Sequence, residues 1–232
     1  MRSALATLSA LSLLACATPS ARVESPRLKE RWPTLRTLGL VTPVVEVPTR
    51  APDADAWKRE AEEVVLATFA AELQKRGVQV LRVSPQPATR EGLAKLAQRF
   101  DDGAELAARA EKRGERLSSP GSLGDLAALS RACGVDGFLV ASGTAVPPSG
   151  PPRPASVASP NRTSFQAIHE AASGEALTGE ADVRLSWLAA AIVDESGQCL
   201  WFATEGTPGE EEGDPAVDAA TELAERLPGR KR

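Results

Sequence analysis

The stretch "LRTLGLVTPVVEV", Leu35 to Val47, limits the fold more than any other part of the chain. Leu38, Leu40, Val41, Val44, Val45 and Val47 form a nearly continuous apolar run, the pattern of a strand covered on both faces. Pro43 bends or ends it. Asp53 and Asp55 are candidate N-caps for a helix running to about Arg76, with Trp57, Ala61, Val64, Val65, Thr68 and Leu73 near the 3.6-residue period and Gly77 as the stop. "VQVLRV", Val78 to Val83, follows at once. A strand, a long amphipathic helix and a strand imply a crossover between parallel strands, and so an α/β fold.

The rest of the chain repeats this rhythm with interruptions. Residues 89–117 read as a polar helical insertion with one face of Leu93, Leu96, Ala97 and Phe100, continued weakly by Leu106, Ala107 and Ala110. After "SSPGS", Leu123 to Ala132 is an amphipathic helix stopped by Gly134, and "DGFLVASG", Asp136 to Gly143, is a third strand. Residues 145–179 are rich in proline and glycine and longer than ordinary connections, so they read as a recognition loop or a flexible insertion. Val183 to Val193 is a long strand that "DESGQ" turns into "CLWFAT", giving an antiparallel C-terminal hairpin. An acidic loop, Glu210 to Asp214, precedes a closing helix with Val217, Ala220, Leu223, Ala224 and Leu227 on its buried face. The expected architecture is a three-layer-like mixed sheet with βαβ units, that hairpin, and helices packed on the sheet.

The first 34 residues carry a different message. Met1 and Arg2 supply a positive end, and Ala4 to Ala15 an apolar run too short to cross a hydrocarbon core of roughly 30 Å as a helix. That is the form of an export signal. Leu13-Leu14-Ala15-Cys16 resembles the lipobox of bacterial lipoproteins; a soluble secreted protein or a misread core segment is the alternative. The resemblance implies cleavage before Cys16 and acylation of that cysteine, with two or three chains enough for stable membrane attachment. Ala17 stands where an aspartate would favour inner-membrane retention, so the same resemblance points to the outer membrane, the domain facing the periplasm or the cell surface. Residues 16–34, with Pro19, Pro26 and Pro33, read as a tether, and residues 35–229 as a single domain.

Composition excludes several classes of function. The chain has 27 basic and 31 acidic residues, a net charge of −4, and removal of residues 1–15 takes away one more positive charge. Nothing in this balance recruits nucleic acid. Tyrosine is absent and there are 5 phenylalanines, which disfavours an aromatic platform for bases or sugars. Cys133 and Cys199 would be free to pair in an oxidising periplasm, or to act as small buried hydrophobes; two thiols alone make no metal site.

Chemistry is equally sparse. The single histidine, His169, has Glu170 beside it and Ser164 and Ser173 near it, but no Gly-x-Ser-x-Gly elbow places a nucleophile. Asp101, Asp102 and Glu105 read as a hydrated helix face, and Glu210, Glu211, Glu212 and Asp214 as a solvated loop without the spacing of a calcium site. No phosphate-binding glycine loop is present, and no cofactor is expected. Trp187 and Trp201 fall on adjacent strands, where core packing is the default and an exposed protein-binding patch the alternative.

Three signatures resemble those of small periplasmic lipoprotein domains, the group of the curli-secretion protein CsgG, the penicillin-binding-protein activator LpoB and the amino-terminal domain of TolB. They are "LGLVTP", Leu38 to Pro43; "LAALSRACGVDGFLVASG", Leu126 to Gly143; and "AAAIVDESGQCLWF", Ala189 to Phe202. The likeness spans Leu35 to Leu227 and its motifs are structural. It implies a non-catalytic adaptor or assembly factor for an envelope protein complex, with a subunit of an oligomeric export assembly as the alternative. An envelope hydrolase using His169 is a third reading.

Overall fold

The computed structural model describes residues 22–47, 54–146, 184–206 and 219–229. In chain order these form β1 (Arg22–Glu24), α1 (Leu28–Arg31) with a 3-10 turn (Trp32–Thr34), β2 (Thr37–Val41), β3 (Val44–Glu46), α2 (Ala54–Lys75), β4 (Gln79–Val83), α3 (Arg90–Lys112), α4 (Ala127–Cys133), β5 (Gly137–Val146), β6 (Arg184–Asp194), β7 (Cys199–Gly206) and α5 (Ala219–Glu225). The strands make one mixed sheet in the order β1-β7-β6-β5-β2-β4, with β3 also on β5. β2 pairs in parallel with both β4 and β5, whereas β5, β6, β7 and β1 alternate in direction.

Helices cover both faces, as the apolar runs require. Leu188, Ala190 and Ile192 of β6 join a core with Val65, Phe69 and Leu73 of α2 and Leu223 of α5. The intervening Trp187, Ala189, Ala191 and Val193 join a second core with Leu96 and Phe100 of α3 and Leu126 just before α4. A strand buried on both sides cannot alternate apolar with polar, which is why β6 reads as an unbroken apolar run. The mixed three-layer architecture expected from the sequence is the one observed.

Several boundaries differ from the expectation. Residues 22–34, expected to be tether, are packed on the domain: β1 pairs with β7, and Leu28 and Trp32, four residues apart on one side of a short helical segment, are each 4% exposed. One apolar residue per turn is enough to dock a segment whose composition is otherwise polar. The insertion over 89–117 is instead α3, a full layer of the domain. Its buried face runs Leu93, Leu96, Phe100, Ala104, Ala107, Ala108, while Leu106 is 69% exposed. Alanines at the far end let the helix lie close to the sheet, so a weakly apolar stripe is nonetheless a core face.

Pro43 does divide the first apolar run. β2 stops at Val41, and β3 resumes beside the second half of β5, Val44 opposite Ser142. Leu123 and Leu126 lie ahead of α4, their N–H groups donating to the carbonyls of Gly197 and Glu195 at 2.8 and 3.0 Å. Ala145 and Val146 belong to β5, and the rest of the proline-rich loop, 147–179, lies outside the described residues.

Local signals fix the turns at the other end of the sheet. Gly134, in the left-handed region at φ 67°, terminates α4 as expected. In "DESGQ" the Asp194 carboxylate, 1% exposed, accepts from the Ser196 N–H at 2.9 Å, the Ser196 hydroxyl at 2.5 Å and the Gln198 N–H at 3.1 Å. Gly197 there has φ 76°, and a Cβ on it would lie 1.6 Å from the Gly124 carbonyl oxygen.

Candidate functional site

The strand directions place one end of the sheet apart. β3, β5 and β7 finish there and β1 and β6 start there, since β6 runs against β5 and β7, and β1 against β7. The stretches 1–21, 48–53, 147–183 and 207–218 therefore all join the domain at this end, whereas the opposite end is closed by short turns. In open α/β sheets the strand ends from which long connections leave are the usual place for a binding site.

A cleft of about 470 Å³ lies on the α3 side of this end. α3 supplies Asp101, Glu105, Arg109 and Lys112, a stripe at helical spacing; β3 supplies Glu46, β5 Ser142 and Thr144, and β6 Trp187. Glu46 sits opposite Thr144 in the β3–β5 ladder. The buried Ser142 hydroxyl donates to the Asp101 carboxylate, and Arg109 pairs with Glu105 at 2.7 Å. Trp187 is 2% exposed, with no partner for its indole N–H among the described residues. One turn further along α3, burial pushes the Glu111 carboxyl above its ordinary pKa; the Thr204 hydroxyl, donating at 3.3 Å, opposes the shift and the Glu205 charge adds to it.

This arrangement is suited to recognition. Three carboxylates and two cations line the same narrow space, four of the five on α3 and Glu46 on β3, so a partner bearing both signs meets a complement to each. Among the described residues no group of three His, Cys, Asp or Glu could hold a metal ion, and no helix is long and apolar enough to cross a membrane.

The residues singled out from sequence fall as follows. Cys16, His169, Glu170, Ser164, Ser173 and the acidic loop 210–214 lie outside the described residues. Cys133 at the end of α4 and Cys199 at the start of β7 are both free thiols in this structure. Cys199 is buried in the α3-side core with its pKa pushed up to about 12, its sulfur 3.3 Å from the Trp201 carbonyl oxygen. Trp187 and Trp201 make no shared patch. Both are buried, Trp187 in the α3-side core and Trp201 in the α2-side core, because the register sets Trp187 opposite Gly206 and Trp201 opposite Ile192, on opposite faces of the sheet.

The cleft itself was only half legible. Asp101 and Glu105, read as a hydrated helix face, line it, while Asp102 turns to Gln98 at 2.9 Å. The i, i+4, i+8 spacing of Asp101, Glu105 and Arg109 was the available signal; Glu46, Ser142 and Trp187 join them only through the sheet register.

No protein-family model matches the chain, and no curated protein matches it. Among solved structures it is similar to lipoprotein GNA1162 from Neisseria meningitidis, at 12% identity and a TM-score of 0.31, over 82% of this chain and 91% of that one. It is also similar to the PelC dodecamer from Paraburkholderia phytofirmans, at 16% identity and a TM-score of 0.33, over 89% and 92%.

Proposed function

We propose that this chain is an outer-membrane lipoprotein whose periplasmic α/β domain works by binding, as an adaptor or assembly factor for an envelope protein complex. The observation that carries the reading is the shared end of the sheet. Cys16 lies six residues ahead of Arg22, and β1 starts at the end where the mixed-charge cleft opens. An acylated Cys16 would hold that end toward the membrane and raise the effective concentration of the cleft for neighbouring envelope proteins. Specificity would come from the carboxylates Asp101, Glu105 and Glu46 set beside the cations Arg109 and Lys112, which reject a partner of single sign.

The test is crosslinking in intact cells followed by mass spectrometry, with Cys16→Ser as the location control. Recovery of one envelope complex by the wild type alone, with crosslinks on Glu46, Glu105, Arg109 or Lys112, is the expected result. Tight fractionation of the Cys16→Ser form with the outer membrane would overturn the anchor. Crosslinks confined to the opposite end of the sheet would overturn the cleft.

A further inference from the structure

The cleft differs from one end to the other, and the strand order sets how. Thr204 of β7 meets Glu111 at 3.3 Å, so the last turns of α3, with Arg109 and Lys112, lie toward β7. Asp101, bonded to Ser142, lies over β5, and β3 flanks β5 on the side away from β6 and β7. The cleft therefore has a cationic end toward β7 and an acidic end over β5 and β3.

The charges at the acidic end are unmatched. Glu105 is neutralised by Arg109 at 2.7 Å, but neither Asp101 nor Glu46 has a cation within ion-pair distance among the described residues. Arg109 and Lys112 stand about 12 and 16 Å along the helix axis from Asp101. Val45 buries against Ala61 of α2, so its neighbour Glu46 turns to the α3 side, where Ser142 lies. Glu46, Thr144 and Trp187 then form one row across three strands, Thr144 being the ladder partner of both others. Ser142, which holds Asp101, is two residues back along β5, about 7 Å. Its hydroxyl, by donating to Asp101, fixes that carboxylate without neutralising it. Trp187 closes the row, 2% exposed, with an indole N–H that has no acceptor among the described residues. A buried donor left in that state is uncommon in a folded protein.

Asp101, Glu46 and Thr144 bring oxygen acceptors from α3, β3 and β5 to one end of the cleft. Acceptors drawn from two layers suit a tetrahedral ammonium, which has three N–H groups to share among them, better than a planar guanidinium fork. The unused indole N–H asks in addition for an acceptor. A peptide supplies one in its backbone carbonyl, and a free polyamine does not. We infer that the acidic end of the cleft receives a lysine side chain of the partner protein, its ammonium held by Asp101, Glu46 and the Thr144 hydroxyl, its backbone carbonyls facing Trp187. The inference rests on the adaptor reading and names the chemistry its partner presents.

A zero-length carbodiimide reagent tests the contact, because it forms an amide only between a carboxylate and an amine that touch. It is applied to intact cells carrying the full chain, in parallel with an amine-to-amine reagent that reports any neighbour. The expected product is an amide from Glu46 or Asp101 to a lysine of one envelope protein. Glu46→Gln with Asp101→Asn keeps both shapes and an acceptor for Ser142, and should lower capture of that protein by the amine-to-amine reagent about tenfold. Asp102→Asn, one residue along but turned to Gln98, should leave capture unchanged. Glu46→Lys should lower it too, and replacing the partner's lysine by glutamate should restore part of it, which a misfolded variant would not allow. Capture indifferent to Glu46→Gln with Asp101→Asn would overturn the inference and leave the adaptor reading standing. Capture of no envelope protein by either reagent would overturn both. Links only to another copy of this chain, or saturable binding of spermidine by the purified full chain with no protein linked, would give the acidic end to those occupants and overturn the inference.

Discussion

The Asp136 carboxylate accepts the backbone N–H of Thr37 at 2.9 Å, joining the turn before β5 to the first residue of β2. It also accepts the Arg36 N–H at 2.8 Å, and the Asp136 N–H returns to the Thr37 carbonyl at 2.9 Å. Three hydrogen bonds thus lock the two central parallel strands in register. Asp136→Ala should cost about 1–2 kcal/mol, at the lower end for a charged acceptor because the site is exposed to water. Asp136→Asn keeps an acceptor oxygen and should cost less. Urea unfolding of the three proteins checks the order.

The role of α3 is tested by comparing its two sides. Phe100 meets Phe202 of β7 edge to face, ring centres 6.2 Å apart, at the middle of the α3-side core. Phe100→Ala should destabilise by about 3–5 kcal/mol, while Leu106→Lys on the exposed side should change stability by less than about 0.5 kcal/mol. Equal and small effects would restore α3 to a mere surface elaboration.

The raised pKa of Glu111 gives stability a pH dependence with a definite sign. Its folded form binds the proton more tightly than the ordinary carboxyl of 4.5, chiefly because the group is partly buried. Between 4.5 and the raised value the folded state therefore holds more protons, and stability falls as pH rises through that window. Glu111→Gln, whose amide oxygen still accepts from Thr204, should match the wild type below pH 4.5 and exceed it at neutral pH. Parallel stability curves across the window would refute the assignment.

The thiols should report their surroundings. Cys199, at about 12, is almost wholly protonated at pH 8, and Cys133 is also raised by burial. Alkylation of the folded chain at pH 8 should be slow at Cys199, faster at the half-buried Cys133, and fast at both in denaturant. Mass spectrometry without prior reduction should find both alkylated in the denatured sample; a linked Cys133–Cys199 peptide would contradict the free-thiol state.

Whatever was written locally was legible in the sequence. The helix Ala54–Lys75 and its stop at Gly77, the parallel β2–β4 pair, and the hairpin turned by Asp194 to Gln198 all rest on periodicity, glycine and side-chain capping within a few residues. The three signatures on Leu38–Pro43, Leu126–Gly143 and Ala189–Phe202 mark these same features, which is why they spoke of fold and not of chemistry. The polar composition of residues 22–34 hid Leu28 and Trp32, because two docked side chains hardly alter a mean.

The sequence by itself determined the layered α/β class and most element positions, since each follows from the order of neighbouring residues. Only the tertiary structure decided which face each tryptophan takes, which side of α3 is core, and that Glu46, Ser142 and Trp187 meet Asp101 and Arg109 in one cleft. The physical reason is register. In a sheet a shift of one residue exchanges the two faces, and that choice is settled by the packing of segments far apart in sequence, not by any one of them alone.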